Sequence, residues 1–497
     1  MNPGRETIVI VGTGFSGLGM AIRLKKAGID DFVLLEKAGE VGGTWRENHY
    51  PGAACDVPSP VYSFSFEPNP KWSRVFSPQA EILAYLKHCA DKYQIRPHIR
   101  FHSEVSAASY EVKSGLWTVQ IQGQSPLVCR FLILASGGLS RPSYPNIPGL
   151  KNFQGALFHT AAWRHDVPLH GQRVAVIGTG ASAIQVVPEM VRVAGEVKVF
   201  QRTPAWILPK PDGLMPQRSR PGNWLLRKLL YWQFEMKALA LLRPKLMRYG
   251  QKMALAFLKD EVPDPKLREK LTPDYIMGCK RILLSNDFYK AMSQPQTQLI
   301  TSGIEEVTAR GIRTRDGAEH ELDAVICATG FQVAEASAPF PIQGRRGLVL
   351  SEVWKDGAQA YLGTTVSGFP NMFIIVGPNS GLGHNSIVFI IESQVQYILG
   401  ALRTARKKGW KSLEVKAGIQ KAFNERIQKR FQNTVWSREH CVSWYQTPSG
   451  KNTTIWPGFS FTFRLRTLFF DRAAYETLET AAGQEAGQAH LNPLSTR

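Results

Sequence analysis

The chain has 497 residues, 43% of them hydrophobic and 20% charged, with six cysteines and a formal net charge of +20. That length holds two or three domains, and the composition is that of a globular enzyme rather than a disordered, fibrous or membrane-spanning chain. The cysteines (Cys55, Cys89, Cys129, Cys279, Cys327, Cys441) are scattered with no CxxC pair, which argues against a metal site or a redox-active disulfide and suits reduced thiols in the cytoplasm.

Too few residues precede the first apolar run, Ile8–Val11, to hold a cleaved signal peptide. The excess of basic residues invites a nucleic-acid or anionic-membrane partner. No helix-turn-helix, zinc-finger or RNA-binding signature accompanies it, so a surface that recruits anionic cofactors is the preferred reading.

In chain order, Ile8–Val11 reads as a short buried strand running into Gly12-Thr13-Gly14-Phe15-Ser16-Gly17. A helical run to Gly28 and a second strand, Phe32–Leu35, follow and end at Glu36. Gly12 permits the tight turn, Gly14 lets backbone approach a pyrophosphate, and Gly17 lets helix and strand pack closely. The helix start then offers unpaired N–H groups to phosphate. The stretch Ser136–Gly149, rich in Gly, Pro and Ser, reads as a crossover between domains.

The design then recurs. Val174–Ile177 runs into Gly178-Thr179-Gly180-Ala181-Ser182-Ala183, a helix continues to about Arg192, and Val197–Phe200 ends at Gln201-Arg202. Glu36 stands 24 residues after Gly12, and Arg202 stands 24 residues after Gly178. A carboxylate at that strand end accepts hydrogen bonds from a ribose diol, which suits the AMP half of FAD. A guanidinium there pairs with the 2′-phosphate that only NADP(H) carries.

Residues 212–275 read as a helical insertion. Nine basic residues and one acid, Glu235, lie between Pro216 and Lys252, with Trp, Leu and Phe interleaved. A membrane-surface helix is one reading of this run. A helical subdomain packed on the NADP domain, with its apolar face walling the substrate pocket, is preferred. Short strands return from Thr301, and Asn371–Gly377 forms another buried run.

The expected fold class is α/β, with two Rossmann-like dinucleotide-binding domains. The FAD domain is placed at 1–140 and 337–480, the NADP domain at 150–210 and 276–336, the helical insertion at 211–275, and a disordered tail at 481–497.

Three further segments carry a family resemblance. Phe153-Gln154-Gly155-Ala156-Leu157-Phe158-His159-Thr160-Ala161-Ala162-Trp163 has the form FxGxxxHxxxW. Gly42-Gly43-Thr44-Trp45 through Tyr50-Pro51-Gly52 to Asp56 has the form GGxWxxxxYPGxxxD, and Ala328-Thr329-Gly330 is an ATG triplet preceded by the pair Lys280-Arg281. In this order they resemble the type I Baeyer–Villiger monooxygenases, relatives of the flavin-containing monooxygenases.

The resemblance implies an NADPH- and O₂-dependent enzyme that converts a ketone to an ester or lactone through a C4a-peroxyflavin. It implies Arg281 as the permanent positive charge at the reacting oxygen and Asp56 as the carboxylate orienting it. By sequence alone, Asp56 would read as a turn residue and Arg281 as a surface charge. Thr44, Trp45 and Tyr62 would line the flavin, and Val105 either contacts adenine or is plain core.

On the NADP side, Thr179, Ser182 and Gln185 would face the phosphates. Lys280 would join Arg202 and Thr203 at the 2′-phosphate, and Trp444 resembles the family's lid tryptophan over NADP. His159 is given a role in coupling the domains rather than in proton transfer. Arg164 departs from the family pattern, because ketone oxygenases usually place Pro or Asp after the fingerprint tryptophan. Two alternatives therefore stand beside the ketone reading. One is a flavin-containing monooxygenase acting on nitrogen or sulfur, and the other is a FAD- and NADPH-binding protein without oxygenase activity.

Overall fold

The computed structural model describes residues 8–216, 219–332, 338–437 and 441–479. The tail expected from Ala481 lies outside them.

The chain opens with β1 (Ile8–Val11), α1 (Phe15–Lys25) and β2 (Phe32–Leu35). β1 and β2 pair in parallel with Ile8 opposite Phe32. Next come β3 (Ile99–Arg100), which extends the sheet beyond β2, and β4 (Phe131–Leu134), which pairs with the other edge of β1. All residues of β2 and β4 are buried, the signature of parallel strands covered on both faces.

The chain then builds a second parallel sheet. Its elements are β5 (Ala156–His159), β6 (Arg173–Ile177), α2 (Ala183–Val193) and β7 (Glu196–Phe200), then helices α3 (Arg220–Leu242) and α4 (Pro244–Glu261), then β8 (Thr297–Ile300) and β9 (Ala324–Cys327). The strand order is β8-β7-β6-β9-β5. With β10 (Met372–Ile374) the chain returns to the first sheet beside β4, giving the order β10-β4-β1-β2-β3. Finally α5 (Ile387–Lys408) packs against α1, and α6 (Ser460–Thr467) packs against α5. The first sheet is thus assembled from both ends of the chain, and the second is an insertion within it. This is an α/β fold of two doubly wound units.

The two glycine turns are built alike. Gly12 has φ +105° and Gly178 φ +113°, a region that side-chain-bearing residues rarely enter. A Cβ on Gly12 would lie 2.8 Å from the Ala135 carbonyl oxygen, and one on Gly178 would lie 2.6 Å from that of Ala328. Each turn is therefore pressed against the end of the neighbouring strand, β4 in one sheet and β9 in the other. α1 and α2 both begin without a side-chain cap, which leaves their first N–H groups to a ligand or to water.

Two expectations need correction. The apolar face of the insertion packs inward only in part. Ala238 and Leu241 are buried, whereas Leu225, Leu229, Trp232 and Met236 of the same helix turn outward. The cysteines are not all thiols, because Cys279 and Cys441 form a disulfide across 162 residues. Cys55, Cys89, Cys129 and Cys327 are free and buried. A search for CxxC spacing cannot detect so distant a pair.

Candidate active site

Asp56 closes the segment that begins at Gly42, just after the first nucleotide fold. Arg281 follows the helical insertion, ahead of the short strand Leu283–Leu284 that pairs with Ile207–Leu208. The fold brings them together. The Arg281 Nε donates to Asp56 Oδ2 and Nη2 donates to Oδ1, both at 2.6 Å. This fork-to-fork pairing fixes the plane of the guanidinium as well as its place.

Arg281 retains 34% of its side-chain surface and Asp56 27%, so neither is sealed in the core. Burial works against the Asp56 carboxylate, yet the charge and hydrogen bonds of Arg281 hold it below its ordinary pKa. The charge of Asp56 in turn raises Arg281 above its own already high value.

Aromatic and polar groups ring this pair. The Tyr62 hydroxyl accepts from Trp45 Nε1 at 3.1 Å, and burial raises its pKa. Tyr445 is 3% exposed, and burial pushes its phenol up to about 12, with Arg281 and Asp56 acting on it in opposite senses. Lys210 also lies within electrostatic reach of Asp56, its pKa lowered by burial. Tyr445 and Lys210 escape a reading of the sequence. Tyr445 is adjacent to the singled-out Trp444, while no local pattern marks Lys210. Trp444 itself is 52% exposed and lies against Tyr445 with ring centroids 4.3 Å apart and the planes tilted by 51°.

At the first nucleotide fold, Glu36 is 4% exposed. It accepts from the Thr13 N–H at 3.1 Å, the Thr13 hydroxyl at 2.6 Å and the Ala38 N–H at 3.0 Å, and it pairs with Arg46 at 3.1 Å. The carboxylate is thereby held beside the glycine turn Gly12–Gly17, where Gly14 and Ser16 begin α1. Thr44 opens the next short helix, Thr44–Glu47. Val105, 8% exposed, begins the strand Val105–Glu111 and belongs to the core.

At the second fold, Arg202 is exposed just beyond β7. Lys280 lies near enough for Arg202 to lower its pKa, after the larger effect of burial, and its Nζ sits 4.5 Å from the centre of the Tyr275 ring. The Thr179 hydroxyl donates to the Thr203 carbonyl at 3.0 Å, which ties the glycine turn to the segment after Arg202. Two like charges held side by side fit a dianion better than open water.

Gly180 has open space where a Cβ would stand, and Ser182 and Ala183 start α2. Gln185 is differently employed from the phosphate contact expected of it. Its Oε1 accepts from the Tyr50 hydroxyl at 2.9 Å and its Nε2 donates to the Ala54 carbonyl at 3.0 Å. It fastens the segment of Asp56 to the second fold.

The FxGxxxHxxxW segment spans β5. A Cβ on Gly155 would lie 2.5 Å from the Asp323 carbonyl and 2.6 Å from the Phe153 ring. Trp163 is 7% exposed and meets Phe158 edge-on at 5.1 Å. His159 is fully buried between Tyr144 and Phe331, with centroids at 5.5 and 5.8 Å. Its Nδ1 accepts from the Ala161 N–H at 3.0 Å, and burial lowers its pKa to about 4. Arg164 points away from all this and pairs with Asp166 on the surface. Among the described residues, no cluster of His, Cys, Asp or Glu has the form of a metal site.

Two doubly wound folds with matched glycine turns, and a guanidinium–carboxylate pair built from both, define an oxidoreductase that works with two nucleotides. Comparison with known proteins narrows this. Residues 9–213 match the pyridine nucleotide-disulphide oxidoreductase family. A Baeyer-Villiger monooxygenase of Pseudomonas aeruginosa is 46% identical over 97% of this chain and 93% of its own length. One from Streptomyces coelicolor is 43% identical over 97% and 94%. Among solved structures, a steroid monooxygenase bound to NADP superposes with a TM-score of 0.86 at 28% identity, over 96% of this chain and all of the other. Cyclohexanone monooxygenase from Rhodococcus sp. Phi1, bound to NADP+, also gives 0.86, at 26% identity and the same coverage. The chain belongs to the Baeyer–Villiger monooxygenase family.

Proposed function

We propose that the chain is a Baeyer–Villiger monooxygenase that uses NADPH and O₂ to convert a ketone to an ester or lactone. FAD would lie at Gly12–Gly17 with its ribose toward Glu36. NADP(H) would lie at Gly178–Ala183 with its 2′-phosphate between Arg202, Thr203 and Lys280. Glycine turns pressed against strand ends and uncapped helix starts are the features of the chain that fit pyrophosphate. In this reading residues 1–140 and 337–480 form the FAD half, and residues 150–210 and 276–336 the NADP half. Bound FAD supplies the activation of O₂, and NADPH supplies the hydride.

The observation that carries the reading is the Arg281–Asp56 pair. Insertion of oxygen beside a carbonyl requires an anionic nucleophile, and negative charge then develops on the carbonyl oxygen. A guanidinium stays protonated at every working pH, so it can hold that charge without delivering a proton that would quench the nucleophile. Asp56 uses Nε and Nη2 and leaves the remaining N–H groups free to serve a ligand. In this reading Thr44, Trp45 and Tyr62 would line the flavin, the Tyr62 hydroxyl accepting from Trp45 Nε1.

The test is purified yellow protein with NADPH, air and a panel of linear, cyclic and aryl ketones, alongside amines and sulfides. Ester formation is the expected product. N-oxides or sulfoxides with no ester from any ketone would replace this reading with heteroatom oxygenation. NADPH consumption without any oxygenated product would replace it with a binding or reductase role.

A further inference from the structure

Helix α3 carries large apolar side chains on its outer side. Leu225, Leu229, Trp232 and Met236 are 54%, 61%, 52% and 62% exposed. Their spacing of i, i+4, i+7 and i+11 aligns them in one stripe along the helix. Trp224, 62% exposed, flanks it. The stripe does not end with α3, because the Trp232 ring lies 5.9 Å from that of Phe461 at the start of α6. From there Leu465, 65% exposed at i+4, and Phe469, 79% exposed just past the end of α6, continue the exposed apolar surface. Soluble monomers rarely expose a contiguous apolar ridge of this kind without a partner.

The charge around the ridge is mainly basic. Lys228 and Lys237 border the stripe, and Arg243, Lys245, Arg248 and Lys252 are exposed on the continuation into α4. The single acid between Pro216 and Lys252, Glu235, is 1% exposed and turned inward. There it accepts from Asn385 Nδ2 at 2.7 Å, the Ser460 N–H at 2.9 Å and the Ser460 hydroxyl at 2.5 Å, and it meets His384 Nε2 at 3.2 Å. On the α6 side Arg466 is exposed, and the Asp471 carboxylate accepts from the Tyr361 hydroxyl at 3.0 Å. The fold has drawn Glu235 inside and left Lys228, Lys237, Arg243, Lys245, Arg248 and Lys252 outside, while Arg227 turns inward to the Pro60 carbonyl and Ser63.

We infer that the α3–α6 ridge docks on the surface of an anionic phospholipid bilayer. Apolar side chains would enter the acyl boundary, tryptophans would sit at the headgroup level, and lysines and arginines would meet lipid phosphate. A second copy of the chain fits poorly. A two-fold contact would set the ridge's own cations against themselves, and like charges juxtaposed across an interface oppose association. Among the described residues no helix is long and apolar enough to cross a membrane, so the contact is interfacial.

The experiment is co-sedimentation of FAD-loaded enzyme with phosphatidylcholine vesicles, with and without about one-third phosphatidylserine, at low and high salt. Binding is expected to the anionic vesicles, falling about tenfold or more at high salt as several basic contacts are screened. The variants L229E/W232E and K228E/K237E should each lose at least about tenfold in vesicle binding, while NADPH oxidation in vesicle-free buffer and thermal melting stay as in the parent. The proposal is overturned if the parent remains in the supernatant with anionic vesicles. It is also overturned if both variants bind as the parent does. A parent that dimerises in sedimentation equilibrium, with L229E/W232E monomeric and no vesicle binding by either, would make the occupant a second copy.

Discussion

Arg281 and Asp56 lie 225 residues apart in the chain and meet through two parallel hydrogen bonds of 2.6 Å. Asp56 is supplied by the segment after the first nucleotide fold and Arg281 by the segment after the insertion in the second. Neither fold holds the pair alone. Replacing Arg281 by Ala removes the charge but leaves both nucleotide turns intact. R281A should still consume NADPH to bleach the yellow flavin in anaerobic stopped flow. Its ester formation should fall by about 10²- to 10³-fold, the usual loss when a donor to a developing oxyanion is removed. Normal ester yield from R281A would remove the pair from the mechanism.

D56N keeps the shape of the partner but not its charge. The guanidinium then loses its two-point anchor, and the loss should appear in kcat rather than in the KM for NADPH, because Arg202 and Lys280 remain to bind the nucleotide. A rise confined to the KM for NADPH would move Asp56 from the chemistry to nucleotide binding.

Selectivity for the phosphorylated nucleotide should reside in Arg202 with Lys280. Lys280 is disfavoured as a cation by burial and by Arg202, so a dianion between them relieves a repulsion already present in the protein. R202Q should raise the KM for NADPH about 10- to 100-fold, consistent with loss of one charge-assisted contact. The KM for NADH should stay nearly constant, since NADH has no 2′-phosphate to lose. Equal losses for both nucleotides would place Arg202 elsewhere.

The parts of this site that could be read from sequence are those encoded by local spacing. A strand, a glycine turn and a helix recur at matched distances, and the sign of the strand-end charge distinguishes Glu36 from Arg202. What could not be read depends on distant segments meeting. Tyr445 gains its place only because the segment after Cys441 folds back over Arg281. Gln185 looks like a phosphate ligand from its motif, yet it reaches across to Tyr50 and Ala54. The outward stripe of α3 was hidden by apolar residues on several sides of the helix, among them Leu226, Leu230 and Phe234, so periodicity alone did not say which side faced water.

His159 makes a prediction about pH. Its folded pKa is lowered to about 4, against 6.5 for the free side chain, because it is buried. The folded protein therefore resists a proton that the unfolded chain accepts. The stability this represents is present above pH 6.5 and is lost as pH falls from there toward 4, with an upper bound of about 3 kcal/mol. H159N keeps an acceptor for the Ala161 N–H but cannot titrate in this range. Its melting temperature should fall less steeply between pH 6.5 and 4 than that of the parent. Parallel curves would mean that His159 does not set this acid limb.

The disulfide between Cys279 and Cys441 closes a loop of 162 residues, and its first cysteine stands two positions before Arg281. Its second stands four positions before Tyr445. It therefore fastens together the two strands of chain that supply the guanidinium and the phenol beside it. The other four cysteines are buried and free. Air-oxidised protein, unfolded without reductant, should thus present four titratable thiols, and six after reduction, with the Cys279–Cys441 peptide linked in a non-reducing digest. Closing a long loop restricts the unfolded chain, so C279S/C441S should be destabilised by about 2–5 kcal/mol and melt several degrees lower. If the link also holds Arg281 in register, the double variant should release more hydrogen peroxide per NADPH consumed. Its affinity for NADPH should weaken as well, because Lys280 stands next to Cys279 in the fastened segment. Six thiols in the unreduced protein would show that the two sulfurs are neighbours without a bond.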